Sequence, residues 1–350
     1  MTNQAAAPAS KNTLTGMRRL IDFDLDEPPT LSRATYEALS PADRAAHDEA
    51  RLRWFGSGFL FGTKATNHLL RSVRGYLLMR DPDVVGSQRI TVLTGPANVG
   101  KSTTLLQLAK EVESHAGRRY PSFRADGRAP VVLIEMSPGA TPKGVAASIL
   151  DFFAVPYRTH DTHQKMIRHA AELMIHHQSS LLVVDEFQMV QLEGRRGDDA
   201  INTIKSIINA TGVVTVLAGI DLDQRLGSRA AEQLMARGET QRHSPFDYAT
   251  DGDRQHWANL VAAFGVQMRL IDGPPDLAPY ADALHAITAG RIGALRRILG
   301  TALMIMLEEK RTPSTPEVLT LEHLQAGAGP LLTAPATPKR RAAAKESNAA

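Results

Sequence analysis

The sequence predicts an α/β fold in which a parallel sheet is covered by helices on both faces. Between residues 89 and 219, four short apolar runs rich in β-branched residues alternate with longer segments of helical periodicity. Such runs are typical of strands buried on both faces, and the helices provide the crossovers that parallel strands require. A three-layer core is therefore expected. Its predicted strands are residues 90–93, 131–134, 181–184 and 213–217.

Apolar residues at helical spacing predict the helices of this core. Pro142 begins one of them, in a first turn where its missing N–H group costs no hydrogen bond. The predicted core helices are residues 101–115, 142–153, 162–177 and 198–210.

Helical spacing also occurs on either side of the core, whereas the two ends of the chain are polar or rich in Ala and Pro. Polar segments and segments rich in Ala and Pro do not bury enough apolar surface to fold alone. The expected organisation is a flexible arm without a core at residues 1–30, a helical segment at 31–85, the α/β core at 86–245, a helical lobe at 246–328 and a disordered basic tail at 329–350.

Composition narrows the class of protein. A chain of 350 residues, 43% hydrophobic and 22% charged, suffices for about two domains of roughly 150 residues each. The absence of cysteine excludes disulfides, zinc ribbons, iron–sulfur clusters and cysteine nucleophiles. Neither a secretory signal nor a membrane-spanning run occurs, so we expect a cytoplasmic protein without a membrane partner. The net charge of +3 permits nucleic-acid binding without requiring it.

A phosphate-binding loop is predicted directly after the first strand. Residues 95–102 read GPANVGKS, the G-x-x-x-x-G-K-[ST] pattern, and a predicted helix follows. The glycines let backbone N–H groups converge on a phosphate, and the helix N-terminus adds positive potential. We expect Lys101 to reach the β- and γ-phosphate oxygens and the Ser102 hydroxyl to bind Mg²⁺. The loop residues expected to contact the nucleotide are Gly95, Pro96, Ala97, Asn98, Val99, Gly100, Lys101 and Ser102.

Two carboxylates complete the predicted site. Asp185 and Glu186 follow the third apolar run and so lie at the carboxyl edge of the sheet, where open α/β sheets bind their ligands. We expect Asp185 to hold Mg²⁺ and Glu186 to deprotonate the water that attacks the γ-phosphate. Taken alone, the pair could equally be an ordinary solvated strand end. The phosphate loop at the expected distance upstream favours a nucleotide site.

With these motifs the chain resembles the AAA+ ATPases, and within them the TniB/TnsC/MuB group that regulates DNA transposition. The resemblance covers residues 55–325. Two of its motifs, GPANVGKSTTLLQLAKEVE and LLVVDEFQMV, are common to nucleotide hydrolases. The order and spacing of these two relative to the other segments resemble TniB. The segments that carry it are GPANVGKSTTLLQLAKEVE, VVLIEMSPGATPKGVAASILDFF, LLVVDEFQMV, GRRGDDAINTIKSIIN, VVTVLAGID, EQLMAR and AGRIGALRRILGTAL.

The resemblance implies a P-loop NTPase with a C-terminal helical lid that hydrolyses ATP with Mg²⁺. It also implies self-association into a ring or filament on double-stranded DNA, largely independent of base sequence, with hydrolysis driving disassembly. The implied partner is a DDE-type transposase, which the assembly recruits or activates.

Residue by residue, the resemblance assigns roles to several positions. The family's phosphate loop corresponds to Gly95, Gly100, Lys101, Ser102 and Thr103, its metal holder to Asp185 and its catalytic base to Glu186. Arg237 corresponds to an arginine finger that acts on a neighbouring subunit, and Arg225 and Arg229 compete for that role. Arg291, or else Arg296, is the candidate phosphate contact of the lid.

The chain departs from the family at the end of the fourth strand. Ala218, Gly219 and Ile220 stand where the group usually has a polar residue that senses the γ-phosphate. The missing polar sensor keeps open the alternative of a nucleotide-switched signalling module that does not bind DNA. A helicase loader resembling the DnaC/IstB group is a second alternative. Basic side chains could follow a DNA backbone or simply aid solubility. These are Arg118, Arg119, Arg124, Arg128, Arg195 and Arg196.

Overall fold

The computed structural model describes residues 10–80, 89–190, 194–226, 232, 236, 238–310 and 312–329. Within this part, the chain forms two compact units. Among the described residues, the first unit draws on 10–25 and on those between 60 and 245, and the second on 26–59 and on those between 246 and 329. The predicted helical segment at residues 31–85 is therefore divided between the two units. The predicted basic tail, apart from Gly329, lies outside the described residues.

A parallel sheet forms the centre of the first unit, as the sequence predicts, and in the described residues it has five strands where four were predicted. Its strand order is β2-β3-β4-β1-β5, so β1 lies between β4 and β5 and every neighbouring pair is parallel. All residues of β1, β3 and β4 are buried. The strands are β1 Ile90–Thr94, β2 Val131–Glu135, β3 Leu181–Asp185, β4 Val214–Gly219 and β5 Gly238–Arg242.

The edge strand β5 was not predicted. Its sequence, GETQR, contains no apolar run, and only Gln241 among its residues is buried. The strand forms because its backbone pairs with β1, beginning at Gly238 opposite Ile90. A Cβ atom at Gly238 would lie 2.2 Å from the carbonyl oxygen of Ile90, so the close approach of the two backbones requires glycine.

Helices cover the sheet in the first unit and make up the second. The predicted core helices are all present, with ends shifted by a few residues. In chain order the helices of the described residues are α1 Leu14–Ile21, α2 Arg33–Ala38, α3 Pro41–Arg53, α4 Lys64–Met79, α5 Lys101–Arg119, α6 Pro142–Phe152, α7 His163–His176, α8 Gly194–Thr211, α9 Leu222–Arg225, α10 Asp251–Gln267, α11 Ala281–Thr288, α12 Ile292–Glu308 and α13 Leu321–Ala328. Short turns of 3₁₀ or π helix lie at Trp54–Gly58, Phe187–Met189 and Ala278–Tyr280.

Helix α1 corrects the expectation that residues 1–30 contribute no core. Met17 and Ile21 lie one helical turn apart and are buried in the hydrophobic core of the first unit. The side chain of Thr13 caps the helix by accepting a hydrogen bond from the N–H of Gly16. Arg18 donates to Glu113 of α5, whose side chain is buried. This mostly polar segment thus packs against the first unit through an apolar face and an ion pair.

The second unit is helical, as predicted for the C-terminal lobe. Trp257 and Phe264 of α10 are fully buried, together with Leu295 and Leu299 of α12. Arg51 of α3 is also fully buried and is joined to a carboxylate at Glu317. In the described part of the chain, no helix combines the length and the apolar character needed to cross a membrane.

Candidate nucleotide-binding site

Two glycines shape the loop between β1 and α5. Gly95 has φ +149°, and a Cβ atom there would lie 2.1 Å from the carbonyl oxygen of His243. Gly100 adopts the left-handed conformation with φ +93°, immediately before the first residue of α5. No side chain caps this helix, so its first N–H groups are available to an anion.

The side chain of Lys101 lies inside the loop. Its Nζ donates hydrogen bonds to the carbonyl oxygens of Gly95 at 2.8 Å and Pro96 at 2.7 Å, and the residue is only 7% exposed. Burial lowers the pKa of the ammonium group, against the opposing charges of Asp185, Glu186 and Asp221. Those charges act on Lys101 because the carboxyl ends of β3 and β4 lie near the loop.

Asp185 and Glu186 stand at the end of β3, as the sequence predicts. Asp185 is the last residue of the strand and is 5% exposed. Its Oδ1 accepts a hydrogen bond of 2.8 Å from the backbone N–H of Glu186. Glu186 itself is half-buried and has φ +53°, a left-handed conformation that few residues other than glycine adopt.

The donor set fits a nucleotide with Mg²⁺. Ser102 and Thr103 lie in the first turn of α5 and are exposed. A hydroxyl at Ser102 and a carboxylate at Asp185 are hard oxygen ligands of the kind that Mg²⁺ prefers. The uncapped helix N-terminus and the ammonium of Lys101 supply positive potential for phosphates. The remaining loop residues, Ala97, Asn98 and Val99, connect the two glycines, with Asn98 at φ +65°.

Two polar residues beside these groups were not predicted. Asp221 follows β4, has φ +50°, and its charge acts on Lys101. Gln188 lies in the turn after Glu186 and bonds to its carboxylate. An acidic residue directly after the fourth apolar run was the available signal for Asp221. No local pattern distinguishes Gln188, because its second partner is far along the chain.

The arginine-finger candidates are only partly described. Arg237 and Arg229 lie outside the described residues. Arg225 is the last residue of α9 and is exposed. The role of Arg225 as an arginine finger therefore stays a prediction, as does that of Arg237.

The lid candidates belong to the second unit. Arg291 is exposed and immediately precedes α12. Arg296 donates to the backbone carbonyls of Gly56 and Phe59, and its guanidinium lies 4.3 Å from the centre of the Phe59 ring. The guanidinium of Arg296 thus already has partners within its own unit, whereas Arg291 presents its side chain to solvent.

The basic cluster after α5 has mixed roles. Arg124 pairs with Asp22 and with the buried Glu113 and so ties the loop to neighbouring elements. The guanidinium of Arg128 lies 4.6 Å from the centre of the Tyr120 ring. Arg118 and Arg119 are exposed at the end of α5. The side chains of Arg195 and Arg196 lie outside the described part.

Comparisons with known proteins identify a matching domain family and a shared fold. Residues 84–226 match the family model of the AAA domain. No match was found among curated proteins.

Similar solved structures share the fold at low sequence identity. The ORC2 protein of Aeropyrum pernix, in its ADPNP–ADP complexes, is 13% identical, with a TM-score of 0.52 over 89% of this chain and 70% of that one. Cdc6p of Pyrobaculum aerophilum is 14% identical, with a TM-score of 0.51 over 77% and 68% of the respective chains. The Aeropyrum pernix ORC1 protein, solved in complex with DNA, is 17% identical, with a TM-score of 0.50 over 89% and 68%.

The match at residues 84–226 spans the loop between β1 and α5 and the carboxylates after β3. The chain has the fold of an AAA+ P-loop NTPase, similar to that of ORC and Cdc6 proteins, and its residues 84–226 match the AAA domain.

Proposed function

We propose that this protein is an ATPase that assembles on duplex DNA in its ATP-bound form and recruits or activates a DDE-type transposase. The observation that carries the nucleotide part is that Lys101, in the loop region after β1, and Asp185 and Glu186, after β3, lie at the same edge of the sheet. Both strands pair in parallel with β4. The DNA part is supported by the TniB-like motifs. A protein of the same fold has also been solved in complex with DNA.

In the proposed reaction, Lys101 binds the β- and γ-phosphates and Glu186 acts on the attacking water. The Glu186 carboxylate accepts a proton as the water oxygen bonds to the γ-phosphorus. The bond to the β–γ bridging oxygen breaks, which yields ADP and phosphate. Ser102 and Asp185 would hold Mg²⁺, which when bound offsets negative charge on the phosphates.

In the proposed assembly, an arginine from a neighbouring subunit completes the site. A guanidinium supplied in trans stabilises the charge that develops as the γ-phosphate leaves. Arg237 is our first candidate and Arg225 the second. In the first unit Arg225 is exposed, as a residue that acts on a neighbouring copy must be. Arg291 is proposed as the phosphate contact of the lid.

Sedimentation with duplex DNA tests this function. The protein is examined without nucleotide, with ADP and with a non-hydrolysable ATP analogue, and Lys101→Ala serves as the nucleotide-free control. We expect large DNA-bound assemblies only with the analogue, and binding that weakens steeply with salt because phosphates rather than bases are contacted. A monomer indifferent to DNA in all three states would contradict the proposal.

The transposase partner needs its own test. A D-D-E transposase encoded beside this gene should bind the DNA assembly formed with the ATP analogue and not the ADP form. A replication gene in that position would instead favour the helicase-loader alternative.

A nucleotide-switched module that hydrolyses ATP poorly is the second candidate. The end of β4 favours it, because Ala218, Gly219 and Ile220 offer no polar side chain towards a γ-phosphate. Such a module would bind ATP with normal affinity and show no nucleotide-dependent association with DNA.

A further inference from the structure

The amide of Gln188 joins two strands at the nucleotide edge of the sheet. Its Nε2 donates a hydrogen bond of 2.5 Å to Oε2 of Glu186, which follows β3. Its Oε1 accepts a hydrogen bond of 3.0 Å from the backbone N–H of Ile220, which follows β4. One side chain therefore connects the proposed catalytic carboxylate to the strand end that lacks a polar side chain.

Gly219 provides the space for this bridge. A Cβ atom at Gly219 would lie 2.2 Å from Oε1 of Gln188, well inside contact distance. It would also come within 3.1 Å of the Leu222 side chain. Since the φ of Gly219 is not in the left-handed region, an alanine there is compatible with the backbone. Glycine is therefore required at position 219 because a larger residue would clash with the Gln188 amide, and not because of its backbone conformation.

The backbone around Gln188 is held firmly. Residues Phe187–Met189 form one turn of 3₁₀ helix, and the Phe187 side chain is fully buried. The N–H of Met189 donates to the carbonyl oxygen of Glu186 at 2.8 Å. Because its Cα is anchored and both ends of its amide are bonded, Gln188 has little freedom to leave the carboxylate.

We propose that Gln188 is a positioning residue for ATP hydrolysis, which holds the Glu186 carboxylate in its working direction from the end of β4. The inference rests on the function proposed above, in which Glu186 is the base. One carboxylate oxygen is bonded to the amide, and the other is left to accept the proton of the attacking water. The Gln188 amide thus places a polar group at the end of β4, where residues 218–220 carry no polar side chain.

Gln188→Met tests the bridge directly. Methionine has a similar length and volume but neither donates nor accepts strongly, so both hydrogen bonds are lost without leaving a large cavity. We expect kcat for ATP hydrolysis to fall by about ten- to hundredfold, as for the loss of a hydrogen bond to a charged group. The KM for ATP and the affinity for a fluorescent ATP analogue should be unchanged, since Lys101 and the loop are untouched.

Gly219→Ala supplies an independent test that keeps both Gln188 and Glu186. The added methyl group should displace the amide and lower kcat to a similar extent. In the double variant with Gln188→Met, the second substitution should have little further effect, because the contact that it disturbs is already gone. Thermal unfolding of each variant identifies any that fail to fold, and a folded single variant suffices for the comparison.

The outcomes separate this inference from the function on which it rests. If Glu186→Gln stops hydrolysis while Gln188→Met and Gly219→Ala both hydrolyse at the wild-type rate, the positioning role is wrong and the base assignment stands. A fall in kcat matched by an equal loss of nucleotide affinity would also overturn it, since that result indicates a structural role. A wild-type protein that does not hydrolyse ATP, with or without DNA, would overturn both.

Discussion

The ammonium group of Lys101 lies 2.8 Å from the carbonyl oxygen of Gly95, so the lysine closes the phosphate loop upon itself. The lysine is nearly buried, and burial lowers its pKa. Phosphate oxygens are stronger hydrogen-bond acceptors for an ammonium than a neutral carbonyl is. Nucleotide binding is therefore expected to proceed by exchange, in which phosphate replaces the carbonyl oxygens around Nζ.

Lys101→Ala should abolish nucleotide binding. The substitution removes the positive charge within the loop and the bonds to its two carbonyl oxygens. Equilibrium titration with a fluorescent ATP analogue measures the effect. Lys110→Ala, on the exposed side of the same helix α5, is the matched control and should bind as the wild type does. Equal affinities of the two variants would rule out Lys101 as the phosphate contact.

Glu186→Gln should bind ATP but hydrolyse it at least about a hundredfold more slowly, because an amide does not accept the proton of the attacking water. The ATP-bound assembly should then persist on DNA. Phosphate release and sedimentation with DNA measure the two effects. Glu111→Gln, an exposed carboxylate of α5, is the control for loss of one negative charge. Hydrolysis by Glu186→Gln at the wild-type rate would contradict the assignment of Glu186 as the base.

Gly95→Ala should disturb the loop more than a comparable substitution elsewhere. Its Cβ would lie 2.1 Å from the backbone oxygen of His243, in addition to the strain of a positive φ. Gly127→Ala also places alanine at a positive φ, here +72°, with nothing within 4 Å of the added carbon, and so measures the strain of a left-handed alanine without a clash, about 1 kcal/mol. Nucleotide affinity and thermal unfolding compare the two. We expect Gly95→Ala alone to lose nucleotide binding; retained binding would show that the loop accommodates the clash.

Glu317→Gln should destabilise the second unit in a pH-dependent way. The buried carboxylate accepts from Arg51 at 2.7 Å and from Lys310 at 2.6 Å, and these bonds lower its pKa to about 2 despite the opposing effect of burial. Removing one partner of a buried ion pair costs about 3–5 kcal/mol.

The sign of the pH dependence follows from the lowered pKa of Glu317. Its contribution to stability is complete above the unfolded-state pKa of 4.5 and is lost as the pH falls towards 2. Urea unfolding of both proteins between pH 3 and 7 should therefore show a difference that shrinks below about pH 4.5. The exposed pair Arg53 and Glu49 provides a control, since Glu49→Gln should change stability by less than about 1 kcal/mol. A difference that is constant with pH would contradict the assigned ionisation of Glu317.

Most of the core could be predicted because its signals are local. Four strands follow from apolar runs buried on both faces, and the loop from residues 95–102 follows from contiguous residues between a strand and a helix. The edge strand β5 could not, because pairing with β1 rather than apolar composition defines it. Helix α1 was missed although Thr13 followed by Met17 and Ile21 was a readable cap and face. Its short length and polar surroundings masked that signal.

The sequence by itself determined the phosphate loop, the carboxylates at the end of β3 and the order in which strands and helices alternate. These depend on residues close together in the chain, whose spacing sets their direction. Only the tertiary structure decided the bridge from Gln188 to Ile220, 32 residues apart, and the pairing of Arg51 with Glu317, 266 residues apart. Such contacts arise from packing of distant elements, and several alternative partners would satisfy the same side chains until the fold selects one.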